Sequence, residues 1–289
     1  MSAVTMNVPA VRGKRLRYRQ LTIALQITCA VVATLIFLGP IIWMISTAMK
    51  TGNQAFSAIP SLLFAPTLAN FSHVFAESSF AGALSTSAFT ASVSTTLALV
   101  LGAGIAYPLA RQRQGVVQQQ LAMWILSLRV LPPIVVIIPL FLLLRAVGLT
   151  GTIWALVVLY TYMNLPLTVW LLRGFFADLP VEIEEASFVD GASRMRSFFG
   201  ITLPLVLPGI VSTALLAFIF AWNEFLFANI LTGANTRTAP VALTEYVNPV
   251  SVEWNNIMAA GTFVVLPVWL GALLVQRYMV RGMTFGAVK

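Results

Sequence analysis

Few side chains in this sequence have the types and spacing that catalysis, metal binding or nucleotide binding requires. The single cysteine, Cys29, lies in an apolar run without a CxxC partner, and the single histidine, His73, is far from any plausible co-ligand. This pattern argues against a metal site or a disulfide. The three lysines, Lys14, Lys50 and Lys289, lack the glycine spacing of a phosphate-binding loop, so we expect no nucleotide or other cofactor on this chain.

The composition indicates a polytopic membrane protein. Hydrophobic residues make up 59% of the 289 positions and charged residues only 9%, whereas an average soluble domain carries about 25% charged residues. The net charge of +8 is compatible with nucleic-acid binding, but most of the basic residues flank apolar runs. Membrane orientation explains that placement better, so we expect lipid and no nucleic acid around this chain.

Six apolar stretches are long enough to cross a membrane, since a bilayer core needs about 20 mostly apolar residues per helix. The first stretch is longer than the roughly 7–15 apolar residues of a signal peptide, so we expect an uncleaved helix there. The sequence therefore predicts an all-α fold with six transmembrane helices. These spans lie at about 21–46, 84–110, 121–145, 152–173, 205–231 and 257–280.

The distribution of basic residues predicts the orientation of these helices. Apart from Arg129, which lies within a span, all but three of the 17 Lys and Arg residues fall on one side. The three exceptions are Lys50, Arg145 and Arg237. By the positive-inside rule, both termini and the 173–204 loop are cytoplasmic. The expected parts are a basic N-terminus at 1–20, a membrane domain at 21–281 and a tail at 282–289.

The stretch 178–204 is charged and competent to form helix, although it lies between long apolar runs. Asp178 can cap a helix that has Pro180 near its first turn, and three glutamates then lie near the positive end of the helix dipole. Gly191 suits a tight turn, and Pro204 restricts how the chain enters the next span. We expect a short, hinged pair of helices here.

This helix pair carries more apolar side chains than an isolated cytoplasmic loop can leave in water. A soluble partner is one explanation, and an amphipathic helix lying on its own bundle or on the lipid surface is the other. The residues alone leave these two explanations about equally open. The apolar positions are Ile183, Ala186, Phe188, Val189, Ala192, Met195, Phe198 and Phe199.

The order of residues in 184–208 resembles the EAA loop of ATP-binding cassette (ABC) importer permeases. Glu185-Ala186-Ser187 stands where that loop has a glutamate and two alanines, and Gly191 follows at the family spacing. Nine further residues separate Gly191 from Ile201-x-Leu203-Pro204. Other runs are similar to the carbohydrate-importing permeases of the maltose-transporter type, so the resemblance spans nearly the whole chain. These runs are Leu131-Pro132-Pro133, Leu165-Pro166, Arg173-Gly174-Phe175-Phe176, Trp222-Asn223-Glu224-Phe225 and the end from Gly282 to Lys289.

The resemblance implies one six-helix permease subunit of an ATP-driven, binding-protein-dependent importer in a bacterial or archaeal plasma membrane. Its partners would be a second permease subunit, two cytoplasmic ATPases that bind ATP and Mg, and an external solute-binding protein. The chain itself would not be an enzyme. Contact with the ATPases is implied for the loop residues Glu185, Ala186, Ser187, Asp190, Gly191 and Pro204.

The family also implies a role for the C-terminal tail, which reaches between the ATPases in maltose-type systems. Residue chemistry alone favours a frayed terminus. The residues implied at that interface are Thr284, Gly286 and Lys289. For the substrate we expect a neutral sugar or polyol, because very few basic residues lie in the predicted spans, with glycerol phosphate as the alternative.

Two polar spots lie within the predicted spans. Arg129 is followed three residues later by paired prolines, so a charge and a helix break occur close together. Intramembrane charges usually face a cavity or a partner. Glu224 marks the second spot, and its pairing with Arg129 stays open. Hydrogen bonding between helices is the alternative to a transport role. The residues expected along a translocation path are Arg129, Pro132, Pro133, Asn164, Asn223 and Glu224.

Two other function classes compete with the importer subunit. A self-sufficient secondary transporter needs coupling-ion carboxylates within its spans and usually paired repeats, whereas only Glu224 qualifies and no repeat is visible. A membrane-embedded hydrolase needs a histidine or a carboxylate pair facing the membrane interior. The single histidine, His73, lies outside the predicted spans, so both classes are less well supported.

Overall fold

The computed structural model describes residues 10–55, 57, 63–77, 79–111, 116–247 and 252–284, with side chains described except at 10–18, 77, 116–119 and 277–284. The main helices in chain order are α1 (Ala10–Ala48), α2 (Phe80–Arg111), α3 (Val116–Ser127), α4 (Pro133–Ala146), α5 (Ile153–Asp178), α6 (Val181–Val189), α7 (Leu203–Trp222), α8 (Leu226–Leu231) and α9 (Trp254–Thr284). Short helical turns lie at Gly52–Ala55, Ala69–Ser72, Arg194–Ser197 and Ala239–Ala242.

Five stretches of helix in the described residues are long and apolar enough to cross a membrane. Outside the helices, the described residues contain an isolated antiparallel bridge between Val247 and Val252. The predicted all-α membrane fold is therefore confirmed. The five stretches are Arg19–Ala48, Phe80–Arg111, Ile153–Asp178, Arg194–Trp222 and Trp254–Gln276.

The stretch predicted as a span at about 121–145 is two helices, α3 and α4, with a turn between them. In this turn the N–H of Arg129 bonds the carbonyl of Leu126 at 3.0 Å. Pro132 then has extended backbone angles, φ −60° and ψ 130°, because the following Pro133 disfavours helical geometry before it, and neither proline has an N–H to continue the helix. The break places Arg129 at a turn between two helices.

The packing of the bundle depends on small side chains. α2 and α5 make the most extensive contact between any two helices of the described chain. Small residues at such an interface let two backbones approach closely without leaving polar groups in lipid. The buried residues of α2 include Ala83, Ser87, Thr90, Ala91, Ser94, Ala98, Gly102 and Ala106.

Two glycines mark the closest approaches between helices. A Cβ at Gly102 on α2 would lie 2.6 Å from Cγ2 of Thr168 on α5, and one at Gly209 on α7 would lie 2.3 Å from Cγ of Phe175 on α5. Both distances are below any real carbon contact, so only glycine fits. α5 is therefore held tightly between α2 and α7.

The connection between α1 and α2 is fastened to the start of α9. The side-chain amide of Asn70 donates to the carbonyls of Ala48 and Lys50, both at 2.7 Å. Asn255 in turn donates to Oδ1 of Asn70 at 2.8 Å. These bonds fix the end of α1 against α9, whereas the apolar side chains along the rest of α1 are largely exposed.

We expect Gly209→Ala to destabilise the protein by about 1–3 kcal/mol, since the added methyl group overpacks the contact with Phe175. The measurement is thermal unfolding of the purified protein in detergent. Gly104→Ala is the matched control because nothing lies within 4 Å of its added Cβ. Equal unfolding temperatures for the two variants would contradict this account of the α5–α7 packing.

Candidate functional site

The loop between α5 and α7 is a pair of helical segments joined by a glycine turn. α6 begins after Pro180 and ends at Val189, with Asp190 as its C-cap. Gly191 follows with φ +83°, a conformation that favours glycine. The N–H of Gly191 bonds the carbonyl of Phe188 at 3.1 Å, and the N–H of Ala192 bonds that of Ser187 at 3.0 Å. This bond pattern is a Schellman motif, which ends α6 sharply.

The second segment runs directly into α7. The hydroxyl of Ser193 caps it by accepting the N–H of Arg196 at 3.3 Å, and the chain continues through a π-helical turn at Phe198–Thr202. The two segments meet at a pair of buried hydroxyls, Ser187 and Ser197, which lie 2.8 Å apart. The loop is therefore one compact unit.

Glu184 on α6 fastens this loop to the membrane helices. Only 3% of its surface is exposed. Arg111 at the end of α2 donates to its Oε1 from Nη2 at 2.6 Å and from Nε at 2.9 Å. The hydroxyls of Tyr107 and Thr202 donate to the same carboxylate at 2.8 Å and 2.9 Å. We call these four residues the Glu184 node.

Arg111 also connects the node to the end of α5. Its Nη1 donates to the carbonyl of Phe176 at 2.8 Å and to that of Leu179 at 3.2 Å. These carbonyls belong to the last turn of α5 and the residue that caps it, where a cation is favoured. The node therefore joins α2, α5, α6 and the start of α7 through one ion pair.

The ionisation of Glu184 follows from two opposed effects. Burial raises the pKa of its carboxyl, but the hydrogen bonds from Arg111, Tyr107 and Thr202 lower it, and the net pKa lies below the ordinary glutamate value. Glu184 is therefore a carboxylate at neutral pH.

The loop residues predicted for coupling differ in exposure. Ser187 is buried, and its hydroxyl donates to the carbonyl of Glu184 at 2.7 Å. Thr284 is the last residue of α9, while Gly286 and Lys289 lie outside the described residues. The predicted loop residues with exposed positions are Glu185, Ala186, Asp190, Gly191 and Pro204.

From the sequence alone, Glu184 is expected only to favour the helix dipole and Arg111 only to favour membrane orientation, and the contact between them is not predicted. A signal was available, because Glu184 and Ser187 are three residues apart and so share one face of α6. Arg111 lies in the last turn of α2, far from Glu184 in the sequence. Its contact with Glu184 spans 73 residues of sequence, which no local pattern reveals.

The outer surface of the loop carries exposed apolar side chains. Val189 is 88% exposed and Met195 67% exposed. Phe198 differs, because its ring packs 4.7 Å from that of Tyr107, measured between centroids. The other exposed apolar side chains of the loop are Val181, Ile183, Phe188 and Phe199. The loop is thus fastened on one side and uncovered on the other.

A second feature is a cavity of about 320 Å³ between the membrane helices. Polar and apolar side chains both line it. Of the residues predicted along a path, Arg129, Pro133, Asn164 and Glu224 line this cavity, whereas Pro132 and Asn223 do not. Its aromatic lining comes from Tyr160, Tyr162, Phe220 and Phe227.

Glu224 is held by the start of α8. Its carboxylate accepts the N–H groups of Phe227 and Ala228 at 2.9 Å and 3.0 Å, and Tyr160 donates to it at 3.2 Å. An anion at a helix N-terminus is stabilised by those free N–H groups and by the helix dipole. The carboxylate therefore has partners without Arg129.

Arg129 lies on an aromatic ring instead of a carboxylate. Its guanidinium is 4.3 Å from the centroid of Phe220, a cation–π contact. Within the described residues no ion pair joins Arg129 to Glu224, although both line the cavity. Asn164, which is 2% exposed, donates to the carbonyl of Ala217 at 3.2 Å and so also links α5 to α7.

The protein has membrane-length helices around a partly polar cavity, and its fastened loop exposes apolar side chains. These features together define a multi-pass membrane transport subunit. The chain belongs to the family of binding-protein-dependent transport system inner membrane components, to which its residues 98–285 match. Family membership confirms the resemblance to importer permeases.

Relatives and solved structures agree with this assignment. The trehalose/maltose transport system permease protein MalG of Thermococcus litoralis is 35% identical over 266 residues, which cover 90% of this chain and 94% of the relative. The trehalose transport system permease protein SugB of Mycobacterium tuberculosis is 34% identical over 256 residues, covering 86% and 92%. The structure of a bacterial ABC transporter involved in the import of the acidic polysaccharide alginate contains a chain with a TM-score of 0.70 at 20% identity, over 91% of this chain and 98% of that one. This last match supports the fold alone.

We expect Glu184→Gln to destabilise the protein by on the order of 2–3 kcal/mol, because the buried Arg111 loses its counter-charge. The measurement is thermal unfolding in detergent at neutral pH. Glu185→Gln, which removes an exposed charge from the next residue, should change stability by less than about 0.5 kcal/mol.

The stabilisation by Glu184 should also depend on pH. Its folded-state pKa lies below the ordinary value of 4.5, so its contribution is complete above that value and is lost as the pH falls through the folded-state pKa. The difference in stability between wild type and Glu184→Gln should therefore shrink below about pH 4.5. A constant difference down to pH 3 would contradict the role of the ionised carboxylate.

Proposed function

We propose that this chain is the transmembrane permease subunit of an ATP-driven, binding-protein-dependent importer for a neutral sugar or polyol. The observation that carries the proposal is the loop around α6, which is fastened to the bundle through buried Glu184 and exposes Val189 and Met195 to water. A soluble partner that covers this surface removes the cost of that exposure. The lipid-surface alternative is less favourable, because residues of the loop such as Glu185 and Arg194 are also exposed.

The proposed partners on the cytoplasmic side are two ATPase subunits. The three lysines of this chain lack the glycine spacing of a phosphate-binding loop, so this chain would not bind the nucleotide itself. ATP and Mg would therefore bind to the ATPase subunits. This chain would then hold no cofactor and catalyse no reaction. The tail residues Thr284, Gly286 and Lys289 would contact the same partners.

The remaining proposed partners are a second permease subunit and an external solute-binding protein. The exposed apolar side chains of α1 support a partner within the membrane, either lipid or the second subunit. The excess of Lys and Arg on one side supports cytoplasmic termini and a cytoplasmic loop. We place the assembly in a bacterial or archaeal plasma membrane.

The substrate class is inferred from the cavity and from the relatives. MalG and SugB carry names that refer to trehalose or maltose, which are neutral sugars. The cavity offers one cation, Arg129, and one carboxylate, Glu224, so it has no excess of positive charge for a phosphate ester. Its tyrosines and Asn164 supply hydroxyl and amide groups suited to sugar hydroxyls.

The Glu184 node suggests how ATPase movement would reach the cavity. When the ATPases close, the docked loop would move, and the ion pair between Glu184 and Arg111 would transmit that displacement to α2. The bonds from Arg111 to the end of α5 would transmit it to α5. The cavity would then open alternately to either side of the membrane.

We expect Gly191→Leu to insert normally into the membrane but to uncouple ATP hydrolysis from uptake. Nothing lies within 4 Å of a Cβ at this glycine, so the effect comes from its φ of +83°, which leucine rarely adopts. The measurement is uptake of labelled neutral sugars per ATP hydrolysed by the complete complex in proteoliposomes.

Gly191→Asn is the matched variant, because asparagine tolerates the left-handed conformation better than leucine does. It should retain more of the coupled uptake. Normal ATP-dependent uptake by Gly191→Leu would count against docking of this loop on the ATPases.

We expect Glu224→Gln to reduce uptake at least tenfold and to destabilise the protein by about 1–2 kcal/mol. The two N–H groups at the start of α8 are accepted by different carboxylate oxygens, so the single amide oxygen keeps only one of these bonds, and the charge in the cavity is lost. Uptake by the complete complex and thermal unfolding in detergent are measured together. Unchanged uptake would remove Glu224 from the path, and Asn223→Ala, which alters an exposed neighbour outside the cavity, serves as control.

A further inference from the structure

Lys50, just beyond the end of α1, is a buried cation. Only 3% of its surface is exposed. Its ammonium lies 5.1 Å from the ring centroid of Trp43 and 5.1 Å from that of Phe64. These cation–π contacts offset part of the cost of removing an ammonium from water, but a buried charge generally requires a counter-charge.

The described part of the chain supplies no carboxylate to Lys50. The first 76 residues contain no Asp or Glu. Among the described side chains, Glu245 pairs with Arg237, and Glu253 accepts a hydrogen bond from Asn256 at 2.7 Å. None of the described ion pairs or hydrogen bonds involves the ammonium of Lys50.

Lys50 lines a cavity of about 360 Å³. The wall combines this cation with polar groups of Thr47 and Gln54 and with the rings of Trp43 and Trp254. The side-chain oxygen of Gln54 accepts the N–H of Thr51 at 3.3 Å, which leaves its amide nitrogen as a donor. One cation, neutral donors and aromatic walls suit a planar group with a single negative charge, which is a carboxylate.

We propose that this cavity receives an Asp or Glu side chain of the external solute-binding protein when that protein docks. The proposal rests on the proposed function, which places the end of α1 on the outer side. Reversible docking suits a site of this kind, because interfaces that form and separate in water keep polar groups and use charge for orientation.

A lipid headgroup fits the site less well. Lysines that bind lipid phosphates at a membrane surface extend an exposed ammonium into the headgroup region. Lys50 is instead nearly fully buried and enclosed by aromatic side chains. The polar groups of Thr47 and Gln54 add directional donors that a protein side chain can use.

The first experiment titrates the solute-binding protein against the complete complex in nanodiscs and measures stimulated ATP hydrolysis at several salt concentrations. Lys50→Met should raise the half-stimulating concentration about tenfold or more and weaken its salt dependence, because one partner of a buried charge pair is lost. Lys50→Arg should retain most of the affinity.

Arg145→Met is the matched control, since it removes an exposed cation from the same predicted side. It should shift the half-stimulating concentration less than twofold. Basal ATP hydrolysis without binding protein and thermal unfolding should match wild type in Lys50→Arg. Where Lys50→Met folds poorly, cross-linking of the wild-type complex still tests the proposal. Equal affinity of wild type and Lys50→Met would overturn the proposal. A wild-type complex that no binding protein stimulates would instead overturn the proposed function.

The second experiment identifies the occupant with a water-soluble carbodiimide. This reagent condenses an amine with a carboxylate in contact to form an amide, and the carbodiimide takes up the lost water as a urea. Peptide mass spectrometry of the docked complex should find Lys50 joined to an Asp or Glu of the binding protein. A link to the second permease, or a phospholipid retained by wild type and lost in Lys50→Met, would overturn the proposal.

Discussion

The ion pair between Arg111 and Glu184 determines where the loop of this protein lies. Glu184 is almost completely buried, so its carboxylate exchanges water for four protein hydrogen bonds, two of them from the guanidinium of Arg111. Removing either charge leaves the other uncompensated in a low-dielectric environment. The same guanidinium bonds two carbonyls at the end of α5. The loop therefore cannot leave its position without breaking contacts on several helices at once.

This arrangement connects the loop to the cavity through two helices that contribute to both. α5 carries Asn164 at the cavity and Phe176 at the node, about 18 Å apart at 1.5 Å per residue. α7 begins after Thr202, which bonds Glu184, and carries Phe220 at the cavity. α5 contacts α2 at Gly102 and α7 at Gly209, and neither glycine has room for a methyl group. The path between the node and the cavity therefore contains close packing that would absorb little of a displacement.

The sequence was sufficient for features that depend on local chemistry. Apolar length predicted α1, α2, α5 and α9, whereas the stretch predicted as one span at about 205–231 is two helices, α7 and α8. The paired prolines predicted the break near Arg129, and Gly191 predicted the turn after α6. It was insufficient for Glu184, because consecutive residues of a helix point about 100° apart and only the fold determines which of two adjacent glutamates faces the bundle. The partner of that glutamate is 73 residues away. Likewise, Glu224 is a lone charge in the sequence. Its hydrogen bonds to the start of α8 form because the chain turns between α7 and α8, and the sequence does not predict that turn.

Glu184, Glu224 and Lys50 are held away from bulk water to different extents, and each has a different source of compensation. Glu184 has the guanidinium of Arg111, and the half-buried Glu224 has the N–H groups at the start of a helix. Lys50 has aromatic rings alone within the described residues. An ammonium is strongly hydrated, so ring faces replace only part of its water. Glu184 and Glu224 find their compensation inside the chain, whereas no carboxylate among the described side chains compensates Lys50. This difference is the basis for proposing that the end of α1 receives another molecule.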